Sequence, residues 1–194
     1  MIRNLLNLSS IKFLIMIVYR DIISGDEMLS DAYALKEVFD ADGNKVEGIM
    51  CCESKMINKG GDDVDIGCGN SFGGDAAEDG PVDDSVQKVN NVIDGFQYTE
   101  TSVGSAIDLK GFLKDYFNAI VLKLREMKTP KEEIQAFKAT CPLVATFLIK
   151  NFKELQFYLG PSFCPESMVF SIYPDGAVTP NFYFIMGGFK SEKF

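Results

Sequence analysis

Two amphipathic helical patterns follow one another between residues 105 and 150 with almost no linker, and that constrains the fold more than anything else in the chain. Leu109, Phe112, Leu113, Tyr116, Phe117, Ile120, Val121, Leu124 and Met127 recur every three or four residues. That period places them on one face of a helix about five or six turns long. Thr129-Pro130-Lys131-Glu132 follows at once, with a Thr suited to capping, a Pro at the first helical position and a Glu three residues after the Thr. A second helix is predicted from there, with Ile134, Phe137, Cys141, Val144, Phe147 and Leu148 turned inward and a kink or break near Thr140 imposed by Pro142. So short a connection forces the two into an antiparallel hairpin.

The flanking segments read as strands. Phe13 to Tyr19 is apolar and partly β-branched, a pattern for a buried strand, and Ser24-Gly25-Asp26-Glu27 turns the chain after it. "AYALKEVFD" and "KVEGIMCC" are separated by Ala41-Asp42-Gly43-Asn44, a hairpin signal. "QKVNNVIDGFQYTET" suggests strands around residues 90 to 101. "LQFYLG", "MVFSIY" and "NFYFIMGG" follow the helices, the last two joined by Pro174-Asp175-Gly176. Strands, a helical hairpin and strands again make an α+β architecture, and 194 residues suffice for a single domain with a substantial core.

Between Glu53 and Asp84 the composition changes. Nine acids stand there against Lys55 and Lys59, a net of −7 out of −9 for the whole chain, together with seven of the 17 glycines. Such a stretch buries little apolar surface against its ordering entropy, so residues 53–84 are expected to form a mobile acidic loop inside the domain.

Several chemistries are excluded by what is missing. The chain has no His, which removes Ser-His and Cys-His catalysis and His-containing zinc sites. Its five Cys are odd in number and form no C-x-x-C pair, which argues for reduced thiols in a cytoplasmic protein. The acidic balance disfavours nucleic acid, and Lys12 and Arg20 bracket too few uncharged residues for a membrane span. "DIGCGNSFGG" lacks phosphate-loop spacing and carries acid. In "DADGNKVEG", Asp40, Asp42 and Asn44 have the spacing of a calcium loop, but Lys45 stands where its glycine is needed. Vicinal Cys51 and Cys52 should point to opposite faces of a strand, one in and one out. The helix face opposite the apolar one carries Lys110, Lys114, Lys123 and Arg125, a candidate docking surface on an acidic protein. Asp26 and Glu27 are paired acids with no activated nucleophile elsewhere in the chain, so an enzyme is not expected.

"MIVYRDIISGDEMLSD", the Val46-Glu47-Gly48 strand, "DDSVQKVNNVIDGF", "KDYF" in the basic-faced helix and "NFKELQFYLG...MVFSIYPDGAVTPNFYF" resemble, in order, the translationally controlled tumour protein family, also called histamine-releasing factor. The resemblance runs from Met16 to the end. It implies a β-rich, tent-like core of mixed sheets with a protruding antiparallel helical hairpin and a long flexible acidic loop. It also implies a non-enzymatic, cytoplasmic, monomeric interaction protein with no obligatory cofactor. The family's associations are with tubulin and microtubules, a Ras-like small GTPase, apoptosis regulators and weakly bound calcium. On the family's pattern Glu27, with Asp26 beside it, matches the acid implicated in the GTPase contact, and the hairpin with Lys110, Lys114 and Lys123 matches the tubulin-associated region. Asn70 and Gln156, with Glu154 nearby, match positions proposed for calcium. The loop around Asn70 is longer than in the family, Gly160-Pro161 replaces its Gly-Glu, and Phe194 replaces its terminal Cys, which removes a disulfide dimer through the last residue. Residues 1–15 read as a leader or as a start codon assigned too early, with Met16 as the expected native start.

Overall fold

The computed structural model describes residues 16–59 and 87–194. The extension 1–15, most of the acidic loop and Asn70 lie outside these. The strands are β1 (Ile17–Asp21), β2 (Glu27–Ser30), β3 (Leu35–Phe39), β4 (Lys45–Glu53), β5 (Met56–Asn58), β6 (Lys88–Asn90), β7 (Thr99–Thr101), β8 (Leu155–Leu159), β9 (Met168–Ile172), β10 (Asn181–Ile185) and β11 (Phe189–Lys193). The helices are α1 (Asn91–Gly95), α2 (Ala106–Glu126) and α3 (Lys131–Lys150), with a 3₁₀ turn at Met186–Gly188. Among the described residues every strand pairing is antiparallel. Three sheets result, with orders β11-β1-β2, β3-β4-β10-β9-β8-β7 and β5-β6. Antiparallel sheets and a helical hairpin confirm the α+β class.

The six-stranded sheet is buried on both faces. Ile49 and Cys51 of β4, Phe157 of β8, Phe170 and Ile172 of β9 and Ile185 of β10 join the cluster formed with α2 and α3. The alternate residues, Cys52, Tyr158, Val169, Phe182 and Phe184, pack with Met28 and Leu29 of β2 and Val92 of α1. Strand alternation therefore sends neighbouring side chains into two separate cores. Cys51 and Cys52 are both buried, correcting the one-in, one-out expectation, because the outer face has a cover of its own. Burial pushes the Cys52 thiol up to about 12 and raises Cys51 as well. Thiols held protonated in this way are poor nucleophiles.

Local chemistry explains several boundaries. At the β3–β4 turn, Asp40 Oδ1 accepts the backbone N–H groups of Asp42 (3.0 Å) and Asn44 (2.8 Å), and Gly43 takes φ +79°. The turn is a hairpin, as its Asp-Gly pair suggests. The segment expected to be strand near residue 91 contains α1, because Asn90 turns its side-chain oxygen onto Val92 N–H and Ile93 N–H and caps a helix there. β11 was not foreseen. The ordered chain also reaches further into the expected acidic loop, since Glu53 belongs to β4 and β5 pairs with β6.

The hairpin forms as expected, with two corrections at its joint and one in its interior. Pro130, not Thr129, is the N-cap of α3, and no side chain caps that end. Met127, expected inward, is exposed at the tip. α3 runs unbroken through Pro142, which lies within it. The N–H that proline lacks would have met the carbonyl of Lys138, an exposed residue whose oxygen water can reach.

Asp21, at the end of β1, is 1% exposed and ties the small sheet to the hairpin. Its Oδ1 accepts from Ile23 N–H (2.8 Å) and Ser24 N–H (2.7 Å), and Tyr116 OH of α2 donates to Oδ2 at 3.4 Å. The chain after β10 must pass closely under this joint. A Cβ on Gly188 would lie 2.5 Å from Tyr116 OH, and one on Gly187 would overlap the Phe137 ring. Gly187→Ala is therefore expected to destabilise by about 1–3 kcal/mol through overpacking, read as a shift in the denaturant midpoint.

Tyr98 and Tyr116 are deeply buried, and burial pushes both phenols well above their usual value, the nearby Asp21 adding to the shift of Tyr116. The folded chain keeps these protons where the unfolded chain releases them. Stability is fully present at neutral pH and is lost as pH rises. Cys52 opens the window near the usual thiol value of about 8.5, and each phenol adds a slope of up to about 1.4 kcal/mol per pH unit above roughly pH 10. Guanidinium melts between pH 8 and 11 should show this decline, with a shallower slope above pH 10 in Tyr116→Phe.

Candidate functional site

The turn from Ile22 to Asp26 is built from inside outward. Asp21 fixes Ser24, and Ser24 Oγ in turn accepts from Asp26 N–H at 3.2 Å. Gly25 takes φ +79° and lets the chain reverse into β2. Asp26 Oδ2 then accepts two bonds from a distant turn, from Ser162 Oγ at 2.7 Å and Ser162 N–H at 3.1 Å. Gly160 packs so close behind that a Cβ there would lie 2.6 Å from the same oxygen and 2.9 Å from Met28 Sδ. Asp26 is thus engaged within the chain.

Glu27 begins β2 and remains half exposed, ion-paired with Arg20 of β1. Arg20 reaches three ways across the small sheet. Besides Glu27, its Nη1 donates to Gly25 O at 3.3 Å and its Nε lies 3.0 Å from Glu192 Oε2 of β11. The last contact is an ion pair too bent to be a hydrogen bond, so Nε is the one buried side-chain polar atom among the described residues without a hydrogen-bond partner. Arg20, Glu27, Gly95, Gln97 and Pro161 border an open hollow of about 350 Å³. Three parts of the chain far apart in sequence, residues 20–27, residues 95–97 and Pro161, meet there. Such a shallow, polar hollow suits a protein surface better than an enclosed small molecule.

The basic residues of α2 do not share one face. Lys110 and Lys114 are exposed, with no carboxylate within ion-pair distance among the described residues, and Arg125 lies in line with them. Lys123 is nine residues beyond Lys114, which at about 100° per residue is about half a revolution away. It stands on the other flank of the helix, partly covered, and pairs with Glu126 at 3.3 Å. The single basic face expected from composition therefore divides into two.

Of the oxygens expected to hold calcium, Glu154 lies just before β8 and is exposed, while Gln156 lies within β8. Gln156 Oε1 already accepts from Tyr158 OH at 3.0 Å, with Ser171 Oγ at 3.5 Å. Calcium takes about six to eight oxygens, and these two side chains do not form such a cage. Among the described residues no three Cys, Asp or Glu side chains gather as a metal site. Nor is any described helix long and apolar enough to cross a membrane.

Glu27 and Asp26 were legible in the sequence as an acidic turn. Arg20, Gln97, Ser162 and Gly160 were not singled out, since their roles come from contacts between distant segments. Only the Gly160-Pro161 turn left a local signal.

Residues 16–190 match the family described as translationally controlled tumour protein. The translationally-controlled tumor protein homologs of Gibberella zeae and Schizosaccharomyces pombe are 37% identical over 180 residues and 34% identical over 184, each match spanning 92% of this chain and 99% or 100% of the relative. The solved structure of the translationally controlled tumor-associated protein p23fyp from S. pombe is 31% identical with a TM-score of 0.66, covering 92% of this chain and 99% of that one. The Caenorhabditis elegans protein, at 19% identity and a TM-score of 0.57 over 92% of this chain and 98% of its own, shares the fold. With a family model matched over residues 16–190 and relatives more than 30% identical along nearly the whole of both chains, the chain is a member of the translationally controlled tumour protein family.

Proposed function

We propose that this is a cytoplasmic, non-enzymatic interaction protein that engages a Ras-like small GTPase through the surface around Glu27. The observation that carries the reading is the state of Glu27. Its neighbour Asp26 is bonded to Ser162, whereas Glu27 stands half exposed at the edge of a polar hollow, held in place by Arg20. A carboxylate positioned in this way can meet a cation on a partner with little further ordering.

A second reading has its own support. The segment 105–150 carries eight Lys and Arg against five Asp and Glu, a net of +3 in a chain of −9. Lys110, Lys114 and Arg125 form one flank of α2 without carboxylate partners among the described residues. That flank suits an acidic surface such as tubulin, with attraction that weakens as salt rises.

In pull-downs, Glu27→Val is expected to lower recovery of the GTPase at least about fivefold, the effect of losing one contact worth about 1 kcal/mol. Its melting temperature should stay close to wild type, because exposed ion pairs contribute little to stability. Unchanged recovery would remove Glu27 from the contact. For the second reading, Lys110→Glu with Lys114→Glu should weaken co-sedimentation with microtubules at low salt, and Lys123→Glu should weaken it less. Equal losses from the two flanks would count against a single docking face.

A further inference from the structure

Three non-glycine residues among those described have left-handed backbones: Gln97 (φ 53°), Lys128 (φ 57°) and Phe163 (φ 55°). Two of them belong to one place. Gln97 borders the hollow beside Glu27, and Phe163 closes the turn whose Pro161 borders it, its N–H donating to Gly160 O at 2.9 Å. Arg20, which holds Glu27, borders the same hollow.

A left-handed backbone is unfavourable for a bulky L-residue, whereas glycine adopts it freely. It persists only where the surroundings over-determine it, and such positions gather at contact sites. Here the turn is pinned by both bonds from Ser162 to Asp26 and by the close packing of Gly160 on Asp26 and Met28. What the pinned turn presents is a phenylalanine 61% exposed to solvent, exceeded among the described aromatic residues only by the terminal Phe194 at 63%. Folding alone would be served better there by glycine.

We propose that Phe163 is the apolar anchor of the Glu27 surface, its ring seating in an apolar hollow of the partner whose cation faces Glu27. The inference rests on the GTPase reading and adds the second contact to it. Aromatic residues, phenylalanine among them, are enriched at protein interfaces, whose cores are rimmed by polar groups. Ser162 and Asp26 act as positioning residues, because the bonds between them set the turn that presents the ring. The partner is recognised by a cation and an apolar pocket side by side.

The test uses the full chain with Phe163→Ala, Phe163→Gly, Phe163→Leu and Glu27→Val, measuring affinity for the recovered Ras-like GTPase by calorimetry, with thermal melts in parallel. Phe163→Ala and Phe163→Gly are expected to weaken binding about 10–30-fold, and Phe163→Leu, which keeps an apolar side chain, less than about fivefold. Phe163→Gly should melt about 2–4 °C above Phe163→Ala, since it alone relieves the left-handed backbone. If Phe163→Ala binds like wild type while Glu27→Val does not, the anchor is overturned and the GTPase reading stands. If all four variants bind like wild type, or if wild type itself binds no such GTPase, both are overturned. A large fall in the melting temperature of Phe163→Ala, or no gain from glycine over alanine, would make the ring or the turn structural and overturn the anchor.

Discussion

Burial of the six-stranded sheet on both faces is the constraint on which the rest depends. β10 lies inside that sheet and sends Phe182 and Phe184 to one core and Ile185 to the other. Neither core can be dispensed with, because removing either cover would leave a row of large apolar side chains in water. The hairpin covers one face, and the small sheet with α1 covers the other. A protein with a single cover could have kept a polar outer face and would have had no use for buried Cys52, Tyr98 or Val92.

Polar groups are met differently in the interior and around Glu27. Buried polar groups inside the fold are satisfied: Asp21 by its own turn and Tyr116, Ser54 by Pro180 and Asn90. Around Glu27 the accounting differs. An arginine nitrogen there lacks a hydrogen bond and two residues hold left-handed backbones. Local conflict of this sort, in a fold otherwise consistent across levels, sets this surface apart from the rest and is what the proposed contact is argued from.

Much of the fold could be read in advance, and the reasons for the misses are physical. Helical period, Asp-Gly and Pro-Asp-Gly turns act within a few residues, so α2, α3 and the β3–β4 and β9–β10 connections were legible. Pairing with distant partners was not. β11 is a strand because β1 lies beside it, and α1 forms where an Asn cap outcompetes the strand tendency of Val92 and Ile93. Lys123 looked like part of one basic face because composition was read without the helical angle. At the candidate site the acid was visible, but Ser162, 136 positions along the chain from Asp26, carried no sign of its partner.

The β5–β6 ribbon is anchored at both of its ends. Lys59 N–H meets Gln87 O at 2.8 Å, Lys55 N–H meets Asn91 Oδ1 at 2.7 Å, and Asn90 Nδ2 donates to Ser54 Oγ, which bonds to the carbonyl of Pro180. The chain on either side of the acidic stretch is thus fastened together and then fastened to the body. Once the ends of a segment are held at a fixed spacing, the entropy of closing it grows only with the logarithm of its length. The ribbon works as a clasp that uncouples the size of the insert from the stability of the fold, so length and charge in that stretch can drift between relatives while both cores stay as they are.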